Sequence, residues 1–372
     1  VALTGALEAL LRHEPVSWRS LEATAVEFLE ACADHEVTCL VHQRLSKRDF
    51  SDWPDEVRSG LSATARAESA VELIRGLEIG SVLAALGEDG IHPVLLKGTA
   101  LGYTVYENPI CRPREDTDLL ICREDVRGVE RVMAALGYER ARQCEGELLF
   151  CQFELSRTDD FGITHAFDFH WRISTQPVFA GVLTSEELAR DAQPIEALGE
   201  YARGPAPVHS LLLACVHPAM HHRNSERLIW MHDVHLLLST LRAADLERFT
   251  AMAVERKVAA ICRQQLALVQ ERFGSHVPDC VMARLSAREA VEPSADYLLP
   301  ARRWHDELTS SLRSLPDWKH RGRLLSEVLF PTRDYMLSSY GLAPCAPSLA
   351  VLPLLYVHRA VRGAWNVMRR YK

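Results

Sequence analysis

Residues 95–120 read LLKGTALGYTVYENPICRPREDTDLL, and the fold of the chain turns on this stretch. The apolar run HPVLL enters a strand after Pro93, and Gly98 punctuates it. TALGYTVY then predicts a short helix, a loop holding Pro109 and Pro113 follows, and TDLLIC predicts a buried strand. At the turn, Gly98 permits close backbone approach, and Thr99 with the free N–H groups of the helix start can hold a phosphate oxygen. Lys97 adds a positive charge beside it. Asp116 and Asp118 are two apart on the second strand, so both side chains project from one face, while Thr117, Leu119 and Ile121 point into the core. Two carboxylates spaced about 7 Å along a strand repel unless a cation lies between them. A hard, oxygen-seeking Mg²⁺ suits that place and keeps positions for triphosphate oxygens.

Outward from this stretch, Glu124 to Leu136 predicts a helix with Gly137 at its C-terminal cap. ELLFCQFEL and ITHAFDFHWRI predict two strands joined around Asp159, Asp160 and Gly162. In Phe167–Arg172 the alternation is strict: Phe167, Phe169 and Trp171 share one face, and Asp168, His170 and Arg172 share the other. Asp168 is therefore placed to meet the Asp116/Asp118 pair across a sheet. The order β-α-β-α-β-β implies a small α/β (α+β) core with a mixed sheet. Residues 1–87, including a helix over roughly 55–87, have helical spacing, and helical spacing returns beyond about 205. The expected division is a helical region at 1–87, a core at 88–204 and a helical domain at 205–372.

Length and composition narrow the function. At roughly 150 residues per domain, 372 residues predict two or three domains. Hydrophobic residues at 48% and charged residues at 25% describe a globular chain and exclude intrinsic disorder. The net charge of −8 disfavours a duplex nucleic-acid binder, which needs a basic face, but leaves room for a local pocket that holds one nucleotide. None of the ten cysteines forms a C-x-x-C pair, so neither a zinc knuckle nor a thioredoxin-type site is indicated, and a reducing cytoplasm is expected. Charges among the first thirty residues leave no signal-peptide apolar core, and prolines at 344, 347 and 353 break the 17-residue apolar run 341–357, so no transmembrane segment is expected.

Gly-Thr after a strand, then Asp-x-Asp, then one Asp on a later strand, resembles the polymerase-beta-type nucleotidyltransferase superfamily. The wider set LLKGTAL, an Arg ahead of DTDLL, a helix ending ALGY, FDFHWR, and HPAMHH followed by RLIWMHDVHLLL is similar to a bacterial branch, the uncharacterised nucleotidyltransferases. The resemblance implies a nucleotidyltransferase core that transfers a nucleoside monophosphate from an NTP to a hydroxyl or phosphate and releases pyrophosphate. It implies that Asp116, Asp118 and Asp168 are catalytic and bind two Mg²⁺ ions (or Mn²⁺), with Asp168 helping to deprotonate the acceptor. Lys97, Gly98, Thr99, Arg112 and Arg114 would contact the nucleotide. The acceptor would be a small metabolite, a natural-product peptide or antibiotic, or a protein side chain; the resemblance also implies an association with the tailoring of peptide natural products.

On the acceptor side or in support stand His170, Arg172, His217, His221 and Asp233. His217 and His221 have the i, i+4 spacing of a helical zinc pair, but the Glu of H-E-x-x-H is missing and Pro218 intervenes, so a polar cluster between core and helical domain is the simpler expectation. The other readings left open are a non-catalytic binding protein on the same fold, a toxin-type enzyme acting on tRNA, and a zinc hydrolase built on the 217–233 region. The C-terminal segment carries Arg359, Arg362, Arg369, Arg370 and Lys372 among apolar residues, which fits a solvated face first, and otherwise a helix that lies on a membrane or docks to a partner.

Overall fold

The computed structural model describes residues 3–47, 51–140, 151–286, 292–300, 302–342 and 349–369. The expected strand ELLFCQFEL thus lies partly, over 147–150, outside the described residues, as do Arg370 and Lys372.

The first helical stretch is punctuated as its polar residues dictate. Thr24 and Glu27 close a capping box at the start of helix Ala25–Asp34. That helix ends at a turn in which Glu36 takes a positive φ of 58°, and Thr38–Ser46 follows. Helix Asp55–Glu88 then runs for 34 residues, its start carrying Asp55 and Glu56 where the helix dipole favours acids. Its bounds match the expected 55–87 closely.

The sheet has five strands: β1 (Val94–Leu95), β2 (Thr117–Leu120), β3 (Glu139–Arg140), β4 (Gln152–Thr158) and β5 (Thr164–His170), in spatial order β1-β2-β5-β4-β3. β2 and β5 are parallel and the other neighbouring pairs are antiparallel, so the sheet is mixed, as expected. The hairpin β4–β5 forms around Asp159, whose carboxylate accepts from the Phe161 and Ile163 amides, and Gly162 supplies a φ of 79°. Helix Val126–Ala135 crosses between β2 and β3, and Gly137 takes the left-handed cap position at φ 84°.

The two faces of this sheet bury different things. Leu95, Leu119, Ile121, Phe153, Phe167 and Phe169 pack on Ile79, Val82, Leu83 and Leu86 of the long helix and on Val129 and Met133. Val94, Leu96 and Leu120 face the other way, into a second core. That core is shared by the N-terminal helices and by helices Pro207–His221, Leu228–Thr240, Ala243–Glu255 and Ala259–Phe273. Side chains on this face of β2 and β5 therefore look toward the helical region. Among the described residues, no helix is long and apolar enough to cross a membrane.

Where the long helix ends, its backbone lies so close to Tyr201 that a Cβ at Gly87 would overlap the ring. Gly87→Ala should cost about 1–3 kcal/mol in urea denaturation, because crowding outweighs the small gain in helix propensity. An unchanged midpoint would mean that the ring yields freely.

Candidate active site

The register of β2 on β5 builds the site. Asp118 pairs directly with Asp168, and Leu120 with His170. Residues opposite each other in a sheet share a face, so the two carboxylates meet on adjacent strands about 4.8 Å apart. His170, two residues beyond Asp168, falls on that same face. Its Nε2 lies 2.8 Å from Asp118 Oδ1 and 3.2 Å from Asp168 Oδ2. Gln152 Nε2, from the register partner of His170 on β4, donates to Asp168 Oδ2 at 2.8 Å. All three cluster members are buried.

Lys97 completes the cluster. It sits at the strand-to-helix turn with a left-handed φ of 49°, a conformation costly for a residue with a Cβ. In that pose Nζ reaches Asp118 Oδ1 at 2.6 Å. Burial works to raise the Asp118 pKa, but Lys97 and His170 overcome it and hold the carboxyl well below its usual range. Burial likewise works to lower the Lys97 and His170 pKa values, and the facing carboxylates raise both.

Asp116 differs from the expectation that it shares the strand with Asp118. β2 begins at Thr117, and Asp116 stands just before it at the rim, where solvent reaches it. Partial enclosure, with repulsion from Asp118 and Asp168, pushes its pKa up to about 6 against the pull of Lys97. Among the described residues, the one group of three or more His, Cys, Asp or Glu with ligand atoms within 4.8 Å of one another is Asp118, Asp168 and His170.

These residues suit a divalent cation. Asp168 Oδ1 is buried and makes no hydrogen bond, so a carboxylate oxygen in the cluster has unused acceptor capacity. The Lys97 ammonium already occupies the role of a cation on Asp118. Two carboxylates suit Mg²⁺, while the imidazole adds the nitrogen donor that Mn²⁺ accepts more readily.

The remaining expected residues divide clearly. Thr99 is 1% exposed and its hydroxyl is buried without a hydrogen-bond partner. Gly98 is closed over: a Cβ there would lie 3.3 Å from Arg112 Nη1 and 3.6 Å from Arg114 Cβ. Neither arginine points its guanidinium at the cluster. Arg112 binds Asp233 through Nε, 2.9 Å from each carboxylate oxygen, and Tyr106 O–H donates to the same carboxylate at 2.7 Å. Arg114 is held by Glu72 at 2.8 Å, and Glu72 also accepts from Tyr103 O–H at 2.6 Å. Asp233 thus anchors the loop before β2 to helix Leu228–Thr240. Arg172 lies two residues past His170, half-buried at the end of β5.

His217 and His221 lie on helix Pro207–His221, which contains Pro218, and pack ring to ring with His222 at centroid distances of 4.8–6.2 Å. His222 stacks on Trp230 at 4.1 Å. Burial, with the nearby Lys97 and His222 charges, lowers the His221 pKa to about 3, and Asp118 and His170 also act on it. The helix therefore faces the carboxylate cluster. A cavity of about 40 Å³ between Lys97, His217, Met220 and Trp230 adjoins it.

Sequence reasoning gave His170 only a supporting place, although D-F-H alternation already put it on the face of Asp168. Glu72 and Tyr106 escaped notice because nothing local signals a partner 42 or 127 residues away.

The family model described as "Uncharacterised nucleotidyltransferase" matches residues 22–274, more than half of the chain. No curated protein matches it significantly.

Two outcomes test this account. Asp233→Ala strands a buried guanidinium and should cost about 3–5 kcal/mol of stability by chemical denaturation; a loss confined to activity would contradict the anchoring role. His232, 1% exposed, is held neutral by burial, so its pKa lies well below the usual value. The unfolded chain therefore binds the extra proton as pH falls below about 6.5, and His232 removes stability there at up to about 1.4 kcal/mol per pH unit. His232→Gln should flatten the pH dependence of the unfolding free energy between about pH 7 and pH 5, measured against the parent chain.

Proposed function

We propose, from the premise that this chain belongs to the uncharacterised nucleotidyltransferase family, that it moves a nucleoside monophosphate from an NTP to a hydroxyl or phosphate of an acceptor and releases pyrophosphate. The observation that carries the reading is the register that sets Asp118 against Asp168 with Lys97 and His170 on the same cluster. The core at 88–204, between helical regions at 1–87 and 205–372, is part of this proposal.

Asp118 and Asp168 would hold Mg²⁺ or Mn²⁺, with Asp116 reaching in from the rim and His170 in ligand range. Bound divalent ions would neutralise the triphosphate and acidify the attacking hydroxyl. Asp168 Oδ1, with no hydrogen bond of its own, can take the proton of the acceptor. Lys97 exchanges Asp118 for a phosphate oxygen once the carboxylate charge is neutralised otherwise, and its strained backbone keeps the ammonium at that branch point. Thr99 has an unspent hydroxyl at the helix start, so we assign it to the triphosphate, together with the backbone of Gly98 beside it. Arg112 and Arg114 act as positioning residues that clamp the loop before β2. His221 and His217, neutral and facing the cluster, line the acceptor side with Arg172. The acceptor is a small molecule, a natural-product peptide or a protein.

Asp118→Asn and Asp168→Asn should each lower Mg²⁺-dependent release of pyrophosphate from NTP by at least about a hundredfold, while melting curves stay cooperative. Near-normal turnover in both variants would refute the assignment. Calorimetry of the parent chain with Mg²⁺ and each NTP should show metal-dependent binding; its absence would point to a binding protein on this fold.

A further inference from the structure

The last two long helices present an apolar surface that the site does not use. In helix Leu352–Arg369, Leu354, Val357, Val361 and Trp365 recur at three- and four-residue spacing on one face, and all four are exposed, Val361 by 62% and Trp365 by 52%. Away from this stripe the helix packs through Arg359, which lies over the Tyr335 ring, and through Tyr356, which stands beside Phe330; at the stripe's edge His358 Nδ1 is 2.7 Å from the Tyr340 hydroxyl. Helix Trp318–Leu329 repeats the pattern, with Trp318, Leu325 and Leu329 on one exposed face and Trp318 76% accessible. Phe330, 66% exposed, stands 6.1 Å from the Tyr356 ring, so the end of one helix meets the other.

Charge distinguishes this surface from the rest of the chain. Residues 317–372 contain nine Lys and Arg against three acids, and no acid follows Asp334, in a chain whose net charge is −8. Arg362 falls one turn position from the Leu354–Trp365 stripe and is exposed. Exposed aliphatics and tryptophans bordered by arginine match the chemistry of an anionic lipid interface, where apolar groups enter the acyl boundary and cations meet headgroups. A second copy of the chain fits worse, because a two-fold contact would set one basic surface against itself. Among the described residues no helix is long and apolar enough to cross a bilayer, so contact would be along the interface.

We propose that the exposed apolar faces of helices Trp318–Leu329 and Leu352–Arg369 seat the protein on an anionic membrane surface, leaving the carboxylate cleft in water. The intact chain should float with vesicles of phosphatidylcholine mixed with phosphatidylglycerol, should not float with phosphatidylcholine alone, and should release as salt is raised. Val361→Asp combined with Trp365→Asp, both at exposed positions, should lower the bound fraction at least about tenfold, and Arg362→Glu by about fivefold or more. Unchanged melting curves and unchanged Mg²⁺–NTP binding in these variants would separate this loss from misfolding and from the proposed catalytic site. Three results would overturn the proposal: no flotation with the mixed vesicles, equal flotation of the double variant, or a concentration-dependent dimer in light scattering that the double variant abolishes. Binding to polyglutamate without binding to vesicles would also overturn it, assigning the face to an acidic protein.

Discussion

Two carboxylates held directly opposite each other on parallel strands repel, and the surrounding structure is organised to make that arrangement tolerable. Asp118 and Asp168 are both buried, and a pair of like charges in a poorly solvated place needs compensation at close range. Lys97 and His170 provide it from two directions, one from a strained turn and one from two residues along the same strand. The compensation is incomplete by design of the geometry: one oxygen of Asp168 is left without a donor, and Asp116 at the rim adds a third acid whose proton is held more tightly than usual. A cluster with surplus negative charge and an unspent acceptor is poised for a cation, which is the property that a nucleotide-triphosphate site requires.

The supports of this cluster reach far beyond the sheet. The loop that delivers β2 is tied by Arg112 to Asp233 on one helix and by Arg114 to Glu72 on another. Both pairs are buried, so each guanidinium is held in a fixed place and the Asp116–Asp118 segment enters the sheet at a fixed height. Through these two ion pairs, the helices before and after the core in sequence share responsibility for the position of the acids. The shared apolar core of the N-terminal and later helices serves the same end, because it forms the floor opposite the acidic face.

The histidine-bearing helix illustrates how environment sets chemistry. His217 and His221 have the spacing of a metal pair, yet burial and the neighbouring Lys97 charge keep both neutral, and their rings contact each other and His222. Neutral imidazoles beside an acidic cluster can accept or donate single hydrogen bonds without adding charge.

Much of this was legible in the chain. The strand-turn-helix of residues 94–104, the alternation of Phe167–Arg172, the glycine cap at 137 and the long helix from Asp55 follow from local rules, because side-chain period and backbone permissiveness are properties of a few neighbouring residues. Local rules also put Asp168 and His170 on one face, although the weight of His170 in the cluster became apparent only with distances in hand. What the sequence could not reveal were relations between segments. The parallel register of β2 on β5 decides that Asp118, rather than Asp116, stands opposite Asp168, and register depends on how both strands bury their apolar faces against the long helix. The partners of Arg112 and Arg114 come from positions 121 and 42 residues away, where no periodicity reaches. Composition and local pattern therefore determined which residues carry charge and which face they take, and the tertiary fold alone decided which of those charges meet, because Coulomb interactions and hydrogen bonds depend on separation in space and not along the chain.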